Sequence, residues 1–106
     1  MNNITWSKKE KVIARKAFDK AYERETIKLT NDVKVLANEI KTPEDIWHLH
    51  DFLKEKRREI DEKYDYRYSQ LIFVFGRLLN EGWLEINDLE GLDEDKITKI
   101  KLLTTG

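Results

Sequence analysis

Cysteine is absent from the 106 residues, which excludes disulfides, thiolate metal sites and a nucleophilic thiol, and permits a reducing compartment. Proline occurs once, at Pro43, and no glycine precedes Gly76, so little interrupts a helix over most of the chain. Long apolar runs are also missing. The longest, Leu71 to Phe75, falls far short of the ~20 residues that span a bilayer, so no membrane insertion is expected. Residues Met1 to Lys8 lack the apolar core of a secretory signal, and a cytoplasmic location is the default expectation. Nor is there an excess charge of one sign: 20 Lys and Arg face 21 Asp and Glu, for a net charge of −1. Proteins that grip nucleic acid draw affinity from a basic surplus, so no nucleic-acid partner is expected.

Charged residues are nonetheless 39% of the chain and hydrophobic ones 40%, enough apolar material for a folded domain with a large solvated surface. The length fits one helical domain over 1–106. Ser7-x-x-Glu10 has the spacing of a capping box and should open a first helix over about 7–41. Thr42-Pro43-Glu44-Asp45 is a second helix start: Thr42 caps, Pro43 suits the first turn, and two acids meet the positive helix end. The spacing predicts a second helix over 43–80, stopping near Gly82, with short C-terminal helices within 87–103. Its apolar stripe takes in Ile46, Leu49, Leu53, Ile60, Tyr64, Leu71, Phe75 and Leu78.

Two helices of ~35 residues reach ~50 Å each at ~1.5 Å per residue. A compact domain of ~100 residues has a radius of gyration of only ~13 Å. Without extra breaks such rods leave apolar surface uncovered, and a second copy is the commonest cover. The expected fold is therefore all-α, two long helices plus short C-terminal helices, assembled as a homodimer. Ile46, Leu49, Leu53 and Ile60 are its expected interface. Arg57 and Arg67 interrupt the stripe, which argues against a parallel coiled coil, and Arg57 on the stripe points to a pairing across an interface or with a partner.

The chemistry-bearing residues are few. His48 and His50, two apart, point to nearly opposite sides of a helix, so no metal site is expected. His50 beside Asp51 lacks any nucleophile, and no catalytic residue is assigned. Arg57 with Asp61, Arg58 with Glu62, and Glu59 with Lys63 have the spacing of ordinary helix-surface ion pairs. Leu71 to Phe75 reads as core. Trp47 stands amid His50 and Asp51 as hot-spot aromatics do, serving either a dimer contact or a partner contact.

Several stretches resemble one family, the cyanobacterial fluorescence recovery protein. They are Trp47-x-Leu49-His50-Asp51-Phe52-Leu53, Lys56-Arg57-x-Glu59-Ile60-Asp61-x-Lys63-Tyr64-Asp65-x-Arg67 and Ile72-Phe73-Val74-Phe75. Phe18-x-Lys20-Ala21-Tyr22-x-Arg24-Glu25, Leu78-Leu79-x-Glu81-Gly82 and Asp95-Lys96-x-x-Lys99-Ile100-Lys101 are similar too, so the likeness covers most of 18–101. The resemblance implies a helical homodimer that binds the photoactivated red form of the orange carotenoid protein, mainly through that partner's C-terminal domain. It would speed the return to the orange form and release from the phycobilisome, with no cofactor of its own. It further implies a partner surface of Trp47, His50, Asp51, Arg57, Phe73 and Lys99, and places Ile46 at the dimer interface. A second reading keeps the fold but changes the client to another protein. A third, an enzyme, would rest on His50 and Asp51 alone.

Overall fold

The computed structural model describes residues 4–104. Among these the chain is all helical: α1 (Lys8–Asn38), α2 (Pro43–Lys63), α3 (Leu71–Glu81), a 3-10 turn (Ile86–Leu89) and α4 (Glu94–Leu102). Both predicted helix starts are present. The Ser7 hydroxyl accepts from the Glu10 N–H at 3.1 Å while the Ser7 N–H donates back to Glu10 at 3.0 Å. Thr42 and Asp45 form the same reciprocal box. The first helix stops at Asn38, short of 41, because a residue before proline is pushed to extended backbone, and Thr42 has ψ 161°.

The single helix expected over 43–80 is in fact two. α2 ends at Lys63, and residues 64–70 cross to α3 as a strap laid along α1. Its cause is aromatic packing at a spacing of two. Tyr64 packs edge-on against Tyr22 and Phe18, with centroids at 5.2 and 5.4 Å. Tyr66 meets Phe18 at 4.9 Å, and Tyr68 reaches Trp6 at 6.0 Å. Between them Asp65 and Arg67 pair outward, 2.8 Å apart. Alternate side chains of an extended segment point to opposite sides, so three tyrosines can line one side of the strap. A continuing helix would scatter them. The Trp6 indole N–H also donates to the Tyr68 carbonyl at 3.2 Å, holding the strap's far end.

Beyond the break, α3 folds back into a head. Leu71, Ile72, Val74, Phe75 and Leu78 are buried against Ala14, Ala17, Phe18 and Ala21 of α1, with Leu89 and Ile100 closing the core. Gly82 ends α3 in the left-handed region (φ 86°), its N–H donating to the Leu78 and Leu79 carbonyls, as a C-terminal glycine should. Gly76 is required by contact: a Cβ there would lie 2.8 Å from Leu103 Cβ. Arg24 fastens the following turn, donating at 2.9 Å to both the Trp83 carbonyl and Asp88.

Two buried ion clusters tie the head together. Lys63, which helical spacing assigns to Glu59, turns inward instead and bonds Glu25 at 2.7 Å and Glu81 at 2.6 Å, while the Tyr64 hydroxyl donates to Glu25 at 2.8 Å. Glu59 pairs with Lys56. The second cluster joins the ends of the head: Lys96 bonds Glu10 at 3.0 Å, and the Asp93 N–H donates to Glu10 at 2.9 Å. Burial would raise the Glu10 pKa. The N–H groups of Asp93 and Ser7 and the Lys96 ammonium outweigh it and bring it down to about 2.

Outside the head the picture changes. No residue from 26 to 59 is buried, although this stretch forms the distal half of α1 and most of α2. These segments make an antiparallel arm, giving the molecule extents of 53 × 29 × 27 Å and a radius of gyration of 16.8 Å. That exceeds the ~13 Å of a compact chain of this size. The expectation that the rods outrun a compact chain therefore holds for the arm, while the proximal half of α1 is covered by the chain's own C-terminal part.

Two outcomes follow. Lys63→Met should cost about 3–5 kcal/mol in chemical denaturation, because it leaves two carboxylates facing each other without their shared cation. Glu10→Gln should remove about 3 kcal/mol at neutral pH. A carboxylate with a lowered folded pKa stabilises above its unfolded value of 4.5 and loses that contribution as pH falls to about 2. The gap between parent and variant, measured by denaturation against pH, should thus be constant above ~5 and close toward ~2.

Candidate partner-binding surface

α2 has two faces, separated by helical spacing. Leu49, Phe52, Lys56, Ile60 and Lys63 recur every three or four residues and are the half-buried or buried positions turned to α1. Ile46, His50, Leu53 and Arg57 recur in the same way about a quarter turn round, and all are exposed. Trp47 and then Asp51 flank this outer stripe, and Trp47 is 63% exposed. The single apolar stripe of the sequence thus divides. Ile46 and Leu53 lie outward, as a second copy would require. Ile60 lies inward and is buried by its own chain, which corrects its place in a dimer interface. Leu49 is half-buried beside Phe52.

The outer stripe mixes one aromatic, two aliphatics and several charges within three turns. The Trp47 and His50 rings meet edge-on with centroids 6.4 Å apart, and His50 Nδ1 lies 3.3 Å from Asp51 Oδ1. Arg57 has a side chain 84% exposed and only a loose contact with Asp61 at 3.6 Å. Its neighbour Arg58 is fully engaged by Glu55 and Glu62. Arg57 also lines an open cleft with Tyr22, Leu29 and Leu53 between the two arm helices. A guanidinium held this loosely beside apolar groups is available to a carboxylate on another molecule.

Phe73 and Lys99 lie elsewhere, on the head. Phe73 is the one member of the Leu71–Phe75 run that faces out, at 60% exposure, against the expectation that the whole run is core. It precedes Gly76 by one turn, and Lys99 precedes Leu103 by one turn, so both border the α3–α4 contact. Leu102, 78% exposed, extends this apolar head surface and has no counterpart among the residues singled out from the sequence. Its signal was present in the adjacent leucines at 102 and 103, which one short helix cannot both bury. The six residues therefore form two groups, four on the arm and two on the head. Among the described residues no group of three or more His, Asp or Glu is placed to hold a metal ion. Among the described residues no helix is long and apolar enough to cross a membrane.

The same fold occurs in solved structures. The fluorescence recovery protein of Fremyella diplosiphon is 55% identical and superposes with a TM-score of 0.90, over 93% of this chain and 97% of that one. The structure from Synechocystis sp. PCC 6803 is 47% identical with the same TM-score and coverage. A curated fluorescence recovery protein from Synechocystis is 48% identical over 98 residues, 92% of this chain and 90% of the relative. Residues 6–104 match the family model described as photoprotection regulator fluorescence recovery protein. The matched family is one of photoprotection regulators. The chain belongs to the fluorescence recovery protein family.

Proposed function

We propose that this chain binds the photoactivated red form of the orange carotenoid protein, through that partner's C-terminal domain. By this reading it accelerates return to the orange form and release from the phycobilisome in the cytoplasm, restoring antenna fluorescence. The observation that carries the reading is the outer stripe of α2, where Ile46, Trp47 and Leu53 stay exposed beside His50 and Arg57. Large side chains exposed in line on a rigid helix are what an interface uses as anchors.

The working unit in this proposal is a homodimer. Helices draw most of their stability from tertiary packing, and an arm with no buried residue from 26 to 59 has little of its own. A second copy crossing the first would cover Ile46 and Leu53 in an isologous contact and leave Trp47, Asp51 and Arg57 at its margin for the client. Phe73 and Lys99 on the head supply a second contact. Accelerating a conformational return requires holding the barrier state better than the red form, so binding must discriminate between states without any bond being made.

Mixing the protein with photoactivated orange carotenoid protein should speed dark recovery of the orange absorption; an unchanged rate would sink the proposal. Arg57→Leu should slow that recovery by about tenfold or more while leaving the melting temperature in place, since the side chain is exposed. Ile46→Glu should shift sedimentation toward monomer, because it sets a charge into the apolar stripe proposed to face the second copy. A variant as dimeric as the parent would remove the arm as the interface.

A further inference from the structure

The first turn of α1 is built against its own helix dipole. Acids stabilise the amino end of a helix, and cations there do not. Yet Lys8, Lys9 and Lys11 surround Glu10, the single acid of the turn, whose carboxylate is already shared between the Ser7 N–H and the Lys96 ammonium. Lys11 lies over the Tyr68 ring, 5.1 Å from its centroid, but the helix dipole gives no reason for Lys8 or Lys9. Lys9 and Lys16 have no ion-pair partner among the described residues.

Lys9 and Lys16 stand in one row with Lys20, on a side of α1 that borders the 3-10 turn. Together they line an open groove of about 480 Å³. Ile13 and Ala17 form its floor. Gly91 forms part of the far wall with a left-handed φ of 104°, and a Cβ there would come within 2.5 Å of Ile13 Cδ1. Both the turn and the groove's depth thus call for glycine. Asp88, also at the groove, is already engaged by Arg24 at 2.9 Å, and the half-exposed Lys20 ammonium stands farther off at 3.8 Å. Glu90 is the remaining acid on that wall, so the row keeps a positive surplus.

We infer that this groove docks an extended acidic segment of a protein partner. Lys9, Lys16 and Lys20 take its carboxylates, and Ile13 and Ala17 support its side-chain stems. From Lys9 to Lys20 the row runs ~16 Å along the helix. That is the length of roughly five residues of extended chain. Charge complementarity selects the occupant, and the opposite rim limits its breadth. Past Gly91 the chain continues into exposed Asp93, Glu94 and Asp95, which repel a wide anionic face such as a bilayer or a duplex but leave room for one strand. The inference concerns a surface apart from the outer stripe of α2 and holds whichever protein is the client there.

The test uses the full chain and a fluorescein-labelled octaglutamate peptide, with octaglutamine as control, followed by fluorescence anisotropy. Octaglutamate should bind saturably at ~20 mM salt and weaken strongly by ~200 mM. The Lys9→Glu, Lys16→Glu pair should weaken binding by about tenfold or more. A control pair with the same change in charge, Lys34→Glu with Lys41→Glu on the exposed arm, should stay within about twofold. Unfolding cannot mimic the loss, since an acid at position 9 suits the helix start and thermal melts should show equal or higher stability. Equal loss in both pairs, no saturable binding, or tighter binding to phosphatidylglycerol vesicles that displace the peptide would each overturn the inference.

Discussion

The Lys63 ammonium sits between Glu25 of α1 and Glu81 of α3, and the rest of the molecule is arranged around that contact. It is the last residue of α2, so the bond determines where the helix stops and where the chain turns toward the head. A cation at this depth, within 2.8 Å of three carboxylate oxygens, is stable only if all partners are in place together. Tyr64, the next residue, bonds the same Glu25 and begins the strap of tyrosines on α1. The electrostatic clasp and the aromatic strap therefore act on one corner. Removing either would loosen the corner where α2 gives way to α3, while apolar packing still holds α3 in the head.

That corner divides two stability regimes. The head closes a core with every class of contact: apolar packing, ring edges, ion pairs and capping bonds. The arm has surface ion pairs such as Lys28 with Asp32 and Arg58 with Glu62, each worth little in solvent. On the proposed reading this division is useful. A rigid head presents Phe73 and Lys99 in fixed geometry, while the arm offers the apolar stripe whose burial is left to association. Dimer contacts and client contacts then share one helix face, so residues at the margin, Trp47 and Arg57, sense both.

Helix starts were legible in the sequence because capping is local: Ser7 with Glu10 and Thr42 with Asp45 need only residues three apart. The α3 stop was legible for the same reason, since Gly82 takes a conformation other residues avoid. The break at Tyr64 was not marked by proline or glycine, and the middling helix propensity of Tyr, Asp and Ser over 64–69 is too weak a signal to stop a helix by itself. Its one sign was Tyr64-x-Tyr66-x-Tyr68, a spacing of two inside a segment otherwise read at helical spacing. Lys63 was misassigned to Glu59 because surface spacing cannot anticipate a partner 38 residues away. Of the surface, the exposed positions on α2 were readable, but its division into inner and outer stripes depends on how α1 lies beside it. That is a tertiary fact, and it moved Ile60 inside.

Glu10 and Lys96 lie 86 residues apart in sequence, yet they are bonded. The head is thus assembled from both flanks of the chain, and the arm is an insertion between them whose own tip carries no part of the core. Its extent is free to vary in a way the head's is not. Adding one heptad to each arm helix would move the tip outward by ~10 Å and keep nearly the same face aligned. On the proposed dimeric reading, such a change would act as a molecular ruler, resetting the span between the two heads while the chemistry at each end stays as it is.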